Sequence, residues 1–356
     1  MTQLNKLYSQ WLDVQPLSAD DEQRLNRKFM LDFNYNSNHI EGNTLTYGQT
    51  EVLLLLGEIV GSAKMKDLEE MKAHNICLNM IKQEADTDET LTETFIRQVH
   101  QVMLREDYKV YRKLPGGKTT SYTVHAGRYK TRPNSVITPT GERFEYASPE
   151  ETPALMSDLV QWYNNAVAEG ELTPIQLAAL FHYRYIRIHP FEDGNGRIAR
   201  LMVNFILRRH KWPMMVIRSK NKKAYLNALA LSDAAVGIIP ADGAHATLKS
   251  IAPFEEYMEN ALTADISSML EFLSGDRDTM WWYEGEIIRF STSTPAKILR
   301  LLQDNPNASL SAISTALGIS RSAIQKQVDN LAQKGYISRP KGKKRGWIVN
   351  ARSTID

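Results

Sequence analysis

Between Thr173 and Ile206 the chain reads as two helices joined by a short loop, and this unit constrains the fold more than any other stretch. Thr173-Pro174 pairs an N-cap residue with a proline at the first helical position. Leu177, Leu180, Phe181, Tyr185 and Ile188 then recur at roughly helical spacing until Pro190 ends the run. A second apolar series, Ile198, Leu201, Met202, Phe205 and Ile206, predicts a helix opening near Asn195. His189 therefore stands at a helix end, facing a loop.

That loop reads His189-Pro-Phe-Glu-Asp193-Gly194-Asn195-Gly196-Arg197 and continues to Arg200. Gly194 and Gly196 fall at the opening turn of the second helix. Free backbone N–H groups there, with the positive end of the helix dipole behind them, suit an anion such as a phosphate. Arg197 and Arg200 lie three residues apart, share a helix face and would clamp further phosphate oxygens. Asp193 is placed to hold Mg²⁺ against the same phosphates, because that ion prefers one or two carboxylates plus phosphate oxygens. Two other nucleotide patterns fail. Gly194-x-Gly196-x-x-Ala199 follows a helix rather than the strand a dinucleotide site needs, and a P-loop ending at Gly117-Lys118-Thr119 would require glycine where Arg112 stands.

Every fixed position of His-x-Phe-x-(Asp/Glu)-Gly-Asn-Gly-Arg-x-x-Arg is matched, so the segment resembles the signature of the Fic-family protein adenylyltransferases. The resemblance implies a mainly α fold, a Fic-type helical bundle with a small β-hairpin flap. It also implies ATP as substrate with Mg²⁺, and His189 as the base that deprotonates a Ser, Thr or Tyr hydroxyl of a target protein or of the chain itself. Gly194, Asn195, Gly196, Arg197 and Arg200 would then hold the nucleotide. Near the N-terminus, Ser37-Asn-His-Ile-Glu41-Gly42 matches the (Ser/Thr)-x-x-x-Glu-(Gly/Asn) inhibitory motif of autoinhibited Fic proteins. On a helix Ser37 and Glu41 share a face, and Glu41 would pair with Arg200 and deny it to the γ-phosphate. The alternative is a solvated Glu41 at a helix end.

The runs Asn134–Thr138 and Glu142–Tyr146 flank Pro139-Thr140-Gly141, a hairpin signal. By resemblance this is the flap that registers a target by strand addition, with Val136 and Ile137 as its contacts to nucleotide or target. Lys222-Lys-Ala-Tyr225 opens a helix that in the family supplies an adenine-stacking aromatic. Tyr225 is the candidate, a core tyrosine the alternative, and Ser232 departs from the family's usual asparagine.

Residues 294–356 carry 11 Lys and Arg against 3 Asp and Glu, a surplus of +8 in a chain of net charge +2. A separate basic module is expected there. Pro295–Gln303, Leu310–Leu317 and Ser320–Lys334 read as the three helices of a winged helix-turn-helix, with a wing running from Gly335 to Val349. Arg321 and Lys326, with Lys341, Lys343, Lys344 and Arg345 at the wing tip, suit nucleic-acid contacts, although such modules also dock proteins. The expected division is an N-terminal helical region over 1–100, a catalytic core over 101–240, a helical connector over 241–293 and the winged helix over 294–356. His74, His100, His182 and His210 show no zinc spacing and read as ordinary helix residues. One cysteine, Cys77, excludes an internal disulfide; with no signal pattern and no long apolar run, a cytoplasmic protein without membrane contact is expected. A homodimer stays open. Two further functions compete with AMP transfer: a Fic enzyme moving a different phosphoryl-containing group, and a DNA-binding regulator whose Fic core senses nucleotide.

Overall fold

The computed structural model describes residues 2–113, 119–137, 143–274, 279–340 and 346–353, which divide into two compact units. The first comprises residues 1–8 and 29–265, the second residues 9–28 and 266–356. In chain order the helices up to the signature are α1 (Gln3–Asp13), α2 (Ala19–Ile40), α3 (Tyr47–Leu56), α4 (Met65–Ala85), α5 (Glu93–Leu104), α6 (Thr152–Glu169), α7 (Pro174–Ile188) and α8 (Asn195–Arg209). After it come α9 (Lys222–Val236), α10 (Pro240–Ala244) and α11 (Ala252–Ser274).

The centre of the first unit is α8. It is apolar nearly all round, and every residue from Arg197 to Leu207 is buried; a helix of that kind belongs in a core. It packs on α7, α4 and α5, with Phe205, Phe181, Ile96 and Leu78 fully enclosed. Besides Arg197 and Arg200, Asn204 is polar, and its carboxamide exchanges two hydrogen bonds with the Met215 backbone, at 2.9 and 2.8 Å. Thr173, read from the sequence as an N-cap, forms a reciprocal capping box with Gln176 at the start of α7; Thr46 and Gln49 form another for α3, and Thr92 caps α5.

Two hairpins extend from the helices, where the sequence led us to expect one. β1 (Tyr108–Lys113) pairs antiparallel with β2 (Thr119–Val124), and β3 (Val136–Ile137) pairs with β4 (Arg143–Phe144). The second is the expected flap, shorter than its β-prone runs, and residues 138–142 at its turn lie outside the described residues. The first was missed because its strands are largely polar, with no clean alternation to mark a buried face.

The second unit holds a three-stranded antiparallel sheet of order β6-β5-β9, from β5 (Met280–Tyr283), β6 (Glu286–Arg289) and β9 (Arg352–Ser353). Residues 241–293 are therefore not helical throughout: α11 ends at Ser274 and a hairpin follows. Next come α12 (Ser293–Asp304), α13 (Leu310–Leu317), α14 (Arg321–Gln333) and a wing of β7 (Ile337–Ser338) and β8 (Ile348–Val349), a winged helix-turn-helix. Trp281, Leu299, Leu302, Ile313, Val328 and Leu331 form its core. Among the described residues no helix is long and apolar enough to cross a membrane.

Since Phe205 is fully buried on the central helix, Phe205→Ala should cost about 3–5 kcal/mol through lost transfer energy and the cavity left behind. The change should appear as a lower midpoint of urea unfolding followed by far-UV circular dichroism.

Candidate active site

The site forms where α7 ends and α8 begins. Pro190 cannot continue α7, and His189 closes it in the left-handed region, φ +51°, with its N–H on Tyr185 O at 2.9 Å. A non-glycine residue there costs roughly 1–2 kcal/mol, so its neighbours must hold it. Two residues back, the buried Arg187 donates to Gly237 O and Ile239 O at 2.9 and 3.0 Å, and it pairs with Asp233 at 3.2 Å. Lys130, also buried, donates from its backbone N–H to Pro190 O at 2.8 Å and from Nζ to Ile188 O at 3.0 Å. The Asn134 carboxamide lies against His189 Nδ1, and the Tyr146 ring stacks on the imidazole at 4.0 Å. Burial first, and the Lys130 ammonium second, push the His189 imidazole down to about 3. It is neutral at physiological pH, the form a base must have before it accepts a proton.

Beyond His189 the loop is tied to itself. Asn195 Oδ1 accepts from the Phe191 N–H at 3.0 Å, and its Nδ2 donates to Phe191 O at 2.7 Å. The buried Asn195 carboxamide thus shapes the loop, while its backbone N–H stands at the opening turn of α8. His100 stacks on Phe191 at 3.6 Å, accepts from the Gly127 N–H at 2.9 Å and donates from Nε2 to Asp193 O at 3.1 Å. Gly194 takes φ +80°, a conformation that favours glycine, and turns the chain into α8. The N–H groups of Asn195, Gly196 and Arg197 then open the helix with no intrahelical acceptor, as in any first turn.

Asp193 sits at the mouth of this turn. The Gly194 N–H donates to its Oδ1 at 2.6 Å, and the Tyr108 hydroxyl donates to its Oδ2. Burial alone would raise this carboxyl, but Arg197, Tyr108 and the Gly194 N–H outweigh it and hold it below the usual carboxylate range. The result is an ionised, partly exposed carboxylate. Among the described residues no three His, Cys, Asp or Glu side chains gather as a metal cage. A cation here would share Asp193 with oxygens of a ligand, the arrangement Mg²⁺ favours.

Because α8 is buried, its arginines are buried charges that must be paired. Arg197 lies 3.6 Å from Asp193 and 3.7 Å from Glu70. Arg200, 2% exposed, donates from Nε to Ser37 Oγ at 3.0 Å and from Nη2 to Ser37 O and Glu41 Oε1 at 2.9 and 2.7 Å. α2 ends at Ile40, so Glu41 lies one residue beyond the helix, in a turn closed by its own N–H on Asn38 O and by Gly42 at φ +94°. The Glu41 carboxylate reaches the glycine turn of α8: a Cβ on Gly196 would collide with Glu41 Oε1 and meet Arg200 Nη1 at 3.1 Å. Burial opposes ionisation of Glu41, yet Arg200 and Arg197 prevail and lower its pKa.

Tyr225 is buried at 3% exposure, its hydroxyl 2.9 Å from His182 Nε2 and its ring tilted against Phe254 and Tyr257. In this conformation it packs as a core tyrosine. The Val136 and Ile137 backbones lie in the flap strand, but their side chains fall outside the described residues. Arg321 and Lys326 are exposed on α14, in the other unit, and 341–345 are not described.

Sequence reasoning missed most of the supporting residues. His74, read as an ordinary helix residue, links Ser37 Oγ at 3.0 Å to Asn34 Oδ1 at 2.7 Å inside the core; burial lowers its pKa far below the usual value. Asn134, Lys130, Tyr108, Tyr146 and His100 come from segments remote in sequence, with no spacing that announces them. A signal did exist on α2: Asn34, Asn36, Ser37 and Asn38 are all buried, and so many polar residues on a core helix imply a network.

Removing the Ser37 hydroxyl leaves Arg200 Nε buried without its acceptor. Ser37→Ala should therefore cost about 1–3 kcal/mol, seen as a lower Tm by differential scanning fluorimetry. Burial opposes ionisation, but Arg200 and Arg197 hold the Glu41 carboxyl below the usual carboxylate range in the folded chain, so its contribution to stability is present above the unfolded carboxylate range and lost as pH falls through the lowered folded value. The Tm difference between wild type and Glu41→Gln should be full at neutral pH and vanish only in acid.

Residues 90–207 match the Fic/DOC family, and residues 294–338 match the winged helix-turn-helix DNA-binding family. The chain is 26% identical to protein adenylyltransferase fic-1 of Caenorhabditis elegans over 259 residues, 72% of this chain and 44% of that protein. It is 31% identical to protein adenylyltransferase Fic of Nematostella vectensis over 201 residues, 55% of this chain and 41% of that one. It thus spans less than half the length of these relatives. Among solved structures, a Fic domain containing signaling protein from Bacteroides thetaiotaomicron is 54% identical, with a TM-score of 0.71 over 76% of this chain and 96% of that one. With the signature seated at the α7–α8 junction and this similarity spanning nearly the whole of that neighbour, the chain belongs to the Fic/DOC family.

Proposed function

We propose that this chain transfers AMP from ATP to a Ser, Thr or Tyr hydroxyl of a target protein, and to itself, and that Glu41 restrains the reaction by occupying Arg200. The observation that carries this reading is the Glu41 carboxylate, 2.7 Å from Arg200 and against Gly196 at the N-terminus of α8. A helix start lined by glycines and arginines attracts anions, and here one is already supplied by the chain. A triphosphate entering the same cradle would have to compete with it.

In this reading the first-turn N–H groups, Arg197 and, once Glu41 leaves, Arg200 bind the phosphates. Asp193 is the residue that would hold Mg²⁺, whose chemistry is to neutralise phosphate charge. The acceptor hydroxyl attacks the α-phosphorus: a new O–P bond forms, the bond to the bridging oxygen breaks, pyrophosphate leaves and His189 takes the proton. Arg187 and Lys130 keep the imidazole at the rim of the turn, and the flap would align the acceptor by strand addition. The names of the Caenorhabditis and Nematostella relatives support adenylyl transfer, and the single cysteine favours a reducing cytoplasm.

A second reading has its own observation. The winged helix match, with Arg321 and Lys326 exposed on α14, supports DNA as a partner. A regulator of that kind would keep its output in His189→Ala and lose it in Arg321→Ala with Lys326→Ala. Transfer of a different phosphoryl-containing group is separated by ATP labelled at the α- or the γ-phosphate.

A hydrogen bond to a charged group contributes roughly 1.5–3 kcal/mol, about a ten- to hundredfold change in the competent population. Glu41→Gly should raise AMP transfer by that factor, read as added AMP by intact-protein mass spectrometry after exposure to Mg-ATP, and His189→Ala should abolish it. Unchanged or lower transfer by folded Glu41→Gly removes the restraint from the reading. Label retained from the γ- but not the α-phosphate removes adenylyl transfer itself.

A further inference from the structure

Asn134 stands two residues before the first flap strand, and its carboxamide is bracketed on both sides. Its oxygen accepts from Lys130 Nζ at 3.0 Å. Its nitrogen lies 2.8 Å from His189 Nδ1, 3.1 Å from His189 O and 2.8 Å from Phe191 O. An ammonium on one side and two carbonyls on the other allow a single orientation of the amide, with the NH₂ toward the histidine. An amide nitrogen accepts no hydrogen bond. A proton on His189 Nδ1 would thus face another N–H at hydrogen-bonding distance, so Nδ1 is the bare nitrogen and Nε2 carries the hydrogen. A neutral imidazole has one acceptor lone pair, and here Asn134 covers it.

We propose that Asn134 is a positioning residue that masks the base: it donates into the sole lone pair of His189, and the ring can accept a target's proton only once that hydrogen bond is broken or the ring hydrogen moves to Nδ1 and frees Nε2. The inference rests on His189 being the base of the proposed reaction. Low basicity of the ring agrees with it, since burial and Lys130 keep the imidazole neutral and in its single-lone-pair form. The mask is distinct from the Glu41 contact. Glu41 acts where the phosphates would lie, whereas Asn134 acts on the proton acceptor. Glu41→Gly opens the nucleotide cradle and leaves Asn134 in place, so the mask keeps a separate influence on turnover.

The tautomer can be read without turnover. In the full chain labelled with ¹⁵N-histidine, long-range ¹H–¹⁵N correlation spectra, with His189 assigned by its loss in His189→Ala, should show Nε2–H and an unprotonated Nδ1. An Nδ1–H tautomer in the wild type overturns the mask, whether or not AMP transfer is found. Asn134→Asp supplies a group that only accepts, so it should move the proton to Nδ1 and free the Nε2 lone pair. In the Glu41→Gly background it should also raise kcat by about tenfold, a difference of roughly 1.4 kcal/mol, with KM for ATP unchanged. A tautomer that fails to switch, or a kcat at or below that of Glu41→Gly alone, overturns the proposal. Absence of AMP transfer in every variant, with the expected spectra, sinks the enzymatic reading and leaves the tautomer assignment standing.

Discussion

The Arg200 guanidinium is the charge around which the site is arranged. It sits on a helix whose other faces are filled with Ile198, Leu201, Met202 and Phe205, and it is 2% exposed. Water cannot solvate it there, and a buried unpaired charge is among the most costly features a fold can carry. The Ser37 hydroxyl and carbonyl and the Glu41 carboxylate supply what water does not. Behind them His74 and Asn34 complete the chain of hydrogen bonds. The end of α2 is thus held to the start of α8 by the need to satisfy one cation.

The proposed restraint by Glu41 would draw on the same need. On that reading the carboxylate that compensates Arg200 would be exchanged for another anion, a phosphate. The helix start offers N–H donors and glycine clearance to either occupant. His189 obeys a related constraint: its left-handed backbone is tolerated because Lys130 bonds to Ile188 O and Pro190 O, Asn134 bonds to His189 O and Phe191 O, and Arg187, two residues earlier, is tied to Gly237 O and Ile239 O. Groups that hold the ring in place also decide which of its nitrogens carries the hydrogen.

Much of this was legible in local patterns. The bounds of α7 and α8, the N-cap at Thr173 and the three helices of the C-terminal module all follow from interactions between residues a few positions apart. The β1–β2 hairpin and the strands after α11 escaped because weakly amphipathic polar runs leave little periodic trace. The motif placed Asn195 at the loop but carried no sign that its carboxamide bonds the loop's own backbone.

By itself, the sequence determined which groups would stand at the α7–α8 junction, since helix stop, glycine turn and paired arginines are encoded within a dozen positions of one another. It also carried Ser37 and Glu41 as a pair with the right spacing. Only the tertiary structure decided what those groups touch. Arg200 meets a residue 159 positions away, and His189 meets one 55 positions away. No local rule specifies such contacts; they arise because burying an apolar helix leaves its few polar atoms to be satisfied by whichever remote segments the packing brings alongside.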